Sequence, residues 1–255
     1  MKIMIGGGFD DENPNSDESQ RITKFSERLA QQVILQGHQL RCGNLSPLDA
    51  IVINAACDAA KEKGESEEER VISYITDGKV AAKRGTVRDS SNPDWNSMSG
   101  RKPQVPEPID EADVLILIGG YDGTFTAANW ARQASTPVLP VATFGMAASD
   151  ILDDELNERG GKKITRLSND DLKKLKRAAA VLDDNSIAEY AAEMISLAEK
   201  AALSREVFIV MSFEEESRLN DFREAVRMAC GKEFIAERID QRPTGDSYDC
   251  GENPP

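Results

Sequence analysis

A chain of 255 residues has room for one large α/β domain or two modest ones. Its 45 acidic residues outnumber 31 basic ones, for a formal charge of −14, and only 5% of the residues are aromatic. With no long basic block, that balance argues against nucleic acid or an anionic membrane as partner. No apolar run approaches the roughly 20 residues that span a bilayer. The chain opens on a polar Lys2 and a strand, with no signal peptide, so a cytoplasmic location is expected. Cys42, Cys57, Cys230 and Cys250 form no CxxC pair and read as reduced thiols. The single histidine, His38, has no Cys or His near it in sequence, so neither a metal site nor a His-based triad is expected.

In chain order, Lys2 to Ile5 reads as a short strand running into Gly6-Gly7-Gly8-Phe9. Asp10 to Asp17 is a polar loop, with Ser16 or Asp17 placed to cap a helix. Ile22, Phe25, Leu29 and Val33 recur at spacings of three and four, the period of that helix, and Gly37 ends it. A second strand, Gln39 to Cys42, leads into a turn containing Gly43, Asn44 and Asp49. Leu48, Ile51, Val52, Ala55 and Ala59 make the apolar face of the next helix. Glu62 to Arg70 is a charged linker, and Val71 to Ile75 is the third strand.

Periodicity fades from Asp77 to Ile109. Arg84, Arg88 and Arg101 concentrate positive charge there, with Lys79, Lys83 and Lys102, and Pro103, Pro106 and Pro108 argue against a regular helix. Long irregular segments inside compact domains often carry function. Val114 to Ile118 is a continuous apolar run, the mark of a strand buried on both faces. Gly119-Gly120-Tyr121-Asp122-Gly123-Thr124 follows, then a helix from Phe125 to about Gln133. Pro137 to Ala142 reads as a fifth strand closed by Phe144 and Gly145, and Met146 to Leu156 as a helix. After Gly160-Gly161, residues 169–182 and 185–203 carry helical periodicity. Val207 to Phe213 is a further buried strand, 219–229 a helix, 233–236 a candidate strand, and the residues after 240 read as a disordered tail.

Strand, glycine turn, helix is the geometry that aims backbone N–H groups at a phosphate. Two such units at carboxyl ends of one parallel sheet make a nucleotide crevice the best reading. Gly6, Gly7, Gly8, Gly119, Gly120, Gly123 and Thr124 form the candidate phosphate cradle. Phe9, Gly43, Tyr121, Asp122, Phe144 and Gly145 are candidate lining. Arg84, Arg88 and Arg101 are candidate diphosphate partners, because arginine's planar fork suits phosphate. Asn44 and Asp49 are candidate ribose partners, although Asp49 with Ser46 fits a capping role equally well. No catalytic residue and no metal ligand is assigned.

These elements together resemble the SLOG superfamily over residues 1–157: a first strand into Gly6-Gly-Gly, a second into Cys42-Gly43, an arginine at Arg101, and Gly119-Gly-Tyr-Asp-Gly-Thr124, one residue longer than the usual Gly-Gly-x-Gly-Thr. The resemblance implies a Rossmann-like, doubly wound, mostly parallel α/β sheet. It also implies one of two activities. LOG-type phosphoribohydrolases carry a glutamate three residues after the motif threonine, where this chain has Ala127. The sensor branch, found in TRPM channels and bacterial Thoeris antiviral effectors, binds NAD-derived nucleotides: ADP-ribose, cyclic ADP-ribose isomers or NAD. Ala127 favours the sensor branch and makes enzymatic activity of this chain an unfavoured alternative. A structural assembly module is the third reading. Residues 205–240 resemble the opening of a TIR-like or nucleoside 2′-deoxyribosyltransferase-like domain, lacking the part where the family's catalytic glutamate lies. The expected organisation is a nucleotide domain (1–157), a helical connector (158–204), a partial TIR-like α/β unit (205–240) and a tail (241–255). A homo-oligomer is expected, with a TIR-like effector in cis or in trans.

Overall fold

A computed structural model describes residues 1–76, 80–90, 105–157, 165, 167–178, 183–203, 205–208 and 234–237. The chain divides into one unit comprising Met1–Asn157 with Lys163–Ala202, and a second comprising Glu158–Lys162 with Leu203–Pro255.

The first unit is built on six parallel strands. In chain order its elements are β1 (Lys2–Gly8), α1 (Asp17–Leu35), β2 (Gln39–Gly43), α2 (Pro47–Glu62), α3 (Glu67–Arg70), β3 (Val71–Ile75) and β4 (Thr86–Asp89). They continue with α4 (Glu107–Asp110), β5 (Val114–Gly119), α5 (Asp122–Ala134), β6 (Val138–Val141), a 3₁₀ turn (Ala142–Phe144), α6 (Met146–Asn157), α7 (Asn169–Lys174) and α8 (Asp184–Leu203). The sheet order is β4-β3-β2-β1-β5-β6, all neighbours parallel. The chain winds outward from β1 to β4, then returns to the other side of β1 for β5 and β6. This is the Rossmann-like doubly wound arrangement, with its switch point between β1 and β5.

Alternation along the strands explains the two layers. Ile3 and Ile5 of β1 and Ile116 and Ile118 of β5 join one core with Phe25 of α1 and Val52 of α2. Met4, Leu115 and Leu117 point to the opposite face and meet Ile109, Ala128, Ala131 and Ile151 from α4, α5 and α6. Successive side chains of a strand face opposite ways, so a strand covered on both sides reads as unbroken apolar sequence.

The helices expected to form a connector belong to the first unit. Tyr190, Met194 and Ala198 of α8 lie in the same core as α1. The Tyr190 ring stacks 5.4 Å from Phe25, which stacks 5.2 Å from Phe144. The Tyr190 hydroxyl reaches Thr143 at 2.7 Å and donates to the Lys174 carbonyl at 3.1 Å. The apolar periodicity of α8 is therefore the imprint of core packing.

Three local expectations change. β1 runs to Gly8, because Gly6, Gly7 and Gly8 pair with Leu117, Ile118 and Gly119 of β5; the first glycine run is strand, not loop. The arginine-rich stretch contains the edge strand β4, whose alternately exposed Thr-Val-Arg-Asp carries no apolar signal. The prolines admit one helical turn: Pro106 is the cap of α4 and Pro108 lies in its first turn, where the missing N–H has no intrahelical partner anyway.

In the second unit, β7 (Arg205–Phe208) and β8 (Phe234–Glu237) pair in parallel, Arg205 opposite Phe234. Parallel neighbours need a long crossover, which the 25 intervening residues can supply. Residues 209–213, the expected helix at 219–229 and the tail from 241 lie outside the described residues.

Candidate functional site

The carboxyl ends of β1 and β5 bring the two glycine runs together. The Gly120 amide donates to the Gly8 carbonyl at 2.9 Å. A methyl built on Gly120 falls 3.3 Å from the Gly7 Cα, and one built on Gly8 falls 3.7 Å from the Gly120 Cα. Gly7 adopts φ +138, and a Cβ there would lie 2.0 Å from the Ile118 carbonyl oxygen. No side chain fits there, and the closely packed glycine backbones of Gly7, Gly8 and Gly120 line a cleft at the carboxyl ends of the two strands.

That cleft has a volume of about 270 Å³. One side is the turn into α5, contributing Gly120, Tyr121, Gly123 and Thr124. The other side is the end of β1 and its loop, with Gly7, Gly8, Phe9 and Asp11, and the start of α2, with Ser46 and Leu48. Ala127, one turn into α5, completes the wall.

Helix α5 begins at Asp122, three residues earlier than its apolar periodicity indicates. Asp122, Gly123 and Thr124 are therefore its first turn, where backbone N–H groups lack intrahelical acceptors. The Thr124 amide is tied back to the Tyr121 carbonyl at 2.8 Å. The amides of Asp122 and Gly123 have no acceptor among the described residues. No side chain caps this terminus. Thr124 is 5% exposed, lines the cleft, and its hydroxyl has no hydrogen-bond partner among the described residues. Ser46 caps α2 by accepting from the Asp49 amide at 3.1 Å, which leaves its O–H free to donate. Donors thus gather at the positive end of a helix dipole, a setting that favours an anion.

Several expected residues are engaged elsewhere. Asp49 closes the capping box of α2, its carboxylate accepting from the amides of Leu45 at 3.0 Å and Ser46 at 2.9 Å. Gly43 is the strand end that this carboxylate crowds; a Cβ there would lie 2.9 Å from Asp49 Oδ2. Asn44 is fully buried, donating to Ser73 at 2.9 Å and the Ala82 carbonyl at 2.8 Å, and accepting from the Ala82 amide at 2.7 Å. Its hydrogen-bonding capacity holds β2 to the loop before β4.

The arginines are likewise committed. Arg84 pairs with Glu67 at 2.7 Å and Asp58 at 2.7 Å on the outer side of α2. The hydrogen bond to Glu67, then that to Asp58, raises the Arg84 pKa further. Arg88 stands on β4, 3.7 Å from Glu107 and from Glu111. Glu111 also pairs with Arg41, a buried residue of β2 that contacts the Tyr74 hydroxyl. Arg101 lies outside the described residues. Among the described residues, then, the cleft wall holds no lysine or arginine, and Asp11 is its one carboxylate.

Phe144 packs in the core against Phe25, 4% exposed, and Gly145 turns at φ +71 after the 3₁₀ segment; neither lines the cleft. Gly6 faces Leu117 from within the sheet, and Gly119 packs against the Gly8 carbonyl and Met146. Asp122 is exposed at the α5 terminus. Asp11, Ser46 and Leu48 were not singled out as ligand contacts from sequence, because a loop acid, a cap serine and a helix leucine each have an ordinary structural use. Cys42 and Cys57 are fully buried, and burial above all pushes the Cys57 thiol up to about 12, so neither is a thiolate nucleophile.

No protein-family model and no curated protein matches the chain. Among solved structures, it is similar to the X-ray structure of TM1055, a structural genomics target, at 18% identity over 76% of this chain and 98% of that one, TM-score 0.48. It is also similar to the molybdenum cofactor carrier protein MCP from Chlamydomonas reinhardtii, at 18% identity over 54% of this chain and 73% of that one, TM-score 0.35. Likenesses this distant bear on nothing beyond themselves, and the Rossmann-like assignment rests on the strand order and pairing of the chain itself.

Proposed function

We propose that the cleft between β1 and β5 binds the phosphate end of a nucleotide and that the domain senses that ligand without cleaving it. The observation that carries this reading is the Thr124 hydroxyl, facing the cleft with no hydrogen-bond partner among the described residues, beside the acceptor-free amides of Asp122 and Gly123. A phosphate oxygen supplies the acceptors those donors lack.

Ala127 lines the same cleft. It is the position at which the SLOG resemblance puts the hydrolase glutamate, and a methyl group neither donates nor accepts a proton. That supports the sensor branch, with an NAD-derived nucleotide such as ADP-ribose, a cyclic isomer or NAD itself as ligand. On this reading the parallel β7–β8 pair opens a TIR-like segment, and ligand binding in a homo-oligomer regulates such an effector, in cis or in trans, in bacterial antiviral defence.

Calorimetric titration with AMP, ADP-ribose, cyclic ADP-ribose and NAD tests the proposal. At least one is expected to bind well below millimolar, Thr124→Val to weaken it about tenfold (the loss of one hydrogen bond to a charged group), and AMP to release no adenine. Failure of all four to bind below millimolar, a regime near −4 kcal/mol, removes the proposal and leaves an assembly module. Release of adenine turns it toward hydrolysis.

A further inference from the structure

Tyr121 stands at the mouth of the cleft and is 56% exposed. Its backbone is fixed. The Tyr121 carbonyl accepts from the amides of Thr124 at 2.8 Å and Phe125 at 3.3 Å. The preceding Gly120 donates to Gly8 at 2.9 Å, and its carbonyl accepts from Ala147 at 3.1 Å. Gly119 and Gly120, at φ +54 and +81, make the turn that presents the residue. The side chain, by contrast, has no ring partner, cation or hydroxyl hydrogen bond among the described residues. Single exposed hydrophobic residues are ordinary. This one differs because an anchored backbone holds a free aromatic face beside a cleft.

The size and chemistry of the cleft say what that face meets. At about 270 Å³ it lies near the lower end of small-molecule pockets, roughly 300 Å³. A phosphate and sugar occupy such a space and leave the rest of a nucleotide at the mouth. The inner donors, Gly123 and Thr124, suit the phosphate. Asp11 can only accept while ionised, so it suits sugar hydroxyls or an exocyclic amine. The group left at the rim, beside an aromatic plane and with no arginine or lysine among the described lining, is best uncharged and planar.

We propose that Tyr121 is the base-recognition residue of this site: the ligand enters phosphate first and its heteroaromatic base stacks on the Tyr121 ring. The assignment rests on the phosphate reading of the cleft and adds that the ligand is a nucleotide with a free base face rather than a sugar phosphate. Stacking reads the π-face common to all bases. Discrimination among bases is therefore weak, and discrimination against ligands without a base is strong.

The test is calorimetry of the full chain and of its Tyr121→Ala and Tyr121→Trp variants with AMP and with ribose 5-phosphate. The intact protein binds AMP at least about tenfold more tightly than ribose 5-phosphate, the scale of one base–aromatic stack. Tyr121→Ala abolishes that preference while its ribose 5-phosphate affinity stays within about twofold, which also reports an intact fold; Tyr121→Trp keeps the preference. Equal binding of the two ligands by the intact chain, or an AMP preference that survives Tyr121→Ala, overturns the assignment and leaves the phosphate site standing. If neither ligand binds the intact chain, the phosphate reading fails and Tyr121 falls with it. A Tyr121→Ala variant that changes oligomeric state in gel filtration and keeps its AMP preference makes the ring a contact between copies instead.

Discussion

Gly7 and Gly120 lie against each other across the β1–β5 seam, the Gly120 Cβ position 3.3 Å from the Gly7 Cα. Each carries a positive φ, +138 and +81. The two glycine runs that stand more than a hundred residues apart in sequence are one structural feature, since a Cβ on Gly7 would strike the Ile118 carbonyl oxygen and one on Gly120 the Thr124 hydroxyl at 1.9 Å.

Replacing Gly7 with alanine tests that relationship. The new methyl meets the Ile118 carbonyl oxygen at 2.0 Å, and only separation of the strands relieves it. Gly37, at φ +84 with nothing within 4 Å of its Cβ position, isolates the conformational part. Gly37→Ala is expected to cost about 1 kcal/mol, and Gly7→Ala at least about 3 kcal/mol, since strain adds to a clash. Urea denaturation of both variants checks the ordering; equal losses would mean that the seam is looser than described.

Tyr190 fastens α8 to α1 through its ring, and to the 3₁₀ turn and α7 through its hydroxyl. Burial pushes that hydroxyl up to about 12, so it remains a neutral donor throughout the working range. Tyr190→Phe keeps the ring and strands the Lys174 carbonyl and the Thr143 hydroxyl, an expected loss of about 1–2 kcal/mol. Tyr190→Ala adds a cavity beside Phe25 and is expected to lose about 3–5 kcal/mol. A single cooperative transition in both variants is expected if α8 is part of the first unit; an early separate loss of helical signal would make it a detachable connector.

His38 gives the protein an acid-sensitive joint. Its Nε2 lies 3.1 Å from Glu199 of α8 and its Nδ1 3.5 Å from the terminal amine of Met1. Burial first, and the terminal ammonium next, lower its pKa below 6.5; Glu199 opposes them and Arg70 adds to the lowering. A histidine with a depressed folded value takes up its proton more readily when unfolded. Its contribution is therefore complete above pH 6.5 and is lost as pH falls through the folded value. His38→Gln is expected to flatten stability against pH just below 6.5 and to leave the deeper acid loss intact. That deeper loss belongs to carboxylates such as Asp171, which its hydrogen bonds to Lys200 and Ser168 hold below 3.8 despite the opposing effect of burial. As the sole histidine, His38 gives one imidazole NMR signal that reads the midpoint directly; a midpoint above 6.5 contradicts this ordering.

The core strands and the seam are legible because burial on both faces writes continuous apolar runs, as in Val114 to Ile118, and because glycine has few other reasons to cluster at their ends. The first helix and its Ser16 cap were legible for the same kind of reason, period and punctuation. What the sequence hid was pairing. Arg84 and Arg88 looked like phosphate ligands because charge alone does not say whether its partner is a ligand or Glu67. Asn44 and Asp49 looked equally like ribose ligands or turn residues, and only the bonds to Ala82 and to the Leu45 and Ser46 amides decide. α5 starts before its apolar period does, because Asp122 and Gly123 have turn character in sequence, although an acid in a first helical turn is favoured by the dipole. Edge strand β4 carried no signal, since its alternate side chains face water.

Amide NMR of the Gly120–Thr124 turn during addition of AMP is the most direct measurement. The Asp122 and Gly123 amides are expected to move downfield together, saturating below millimolar, while the Gly120 amide, already bonded to Gly8, stays nearly fixed. Unmoved Asp122 and Gly123 signals at millimolar AMP, or shifts confined to residues remote from this turn, would contradict an anion site at the head of α5.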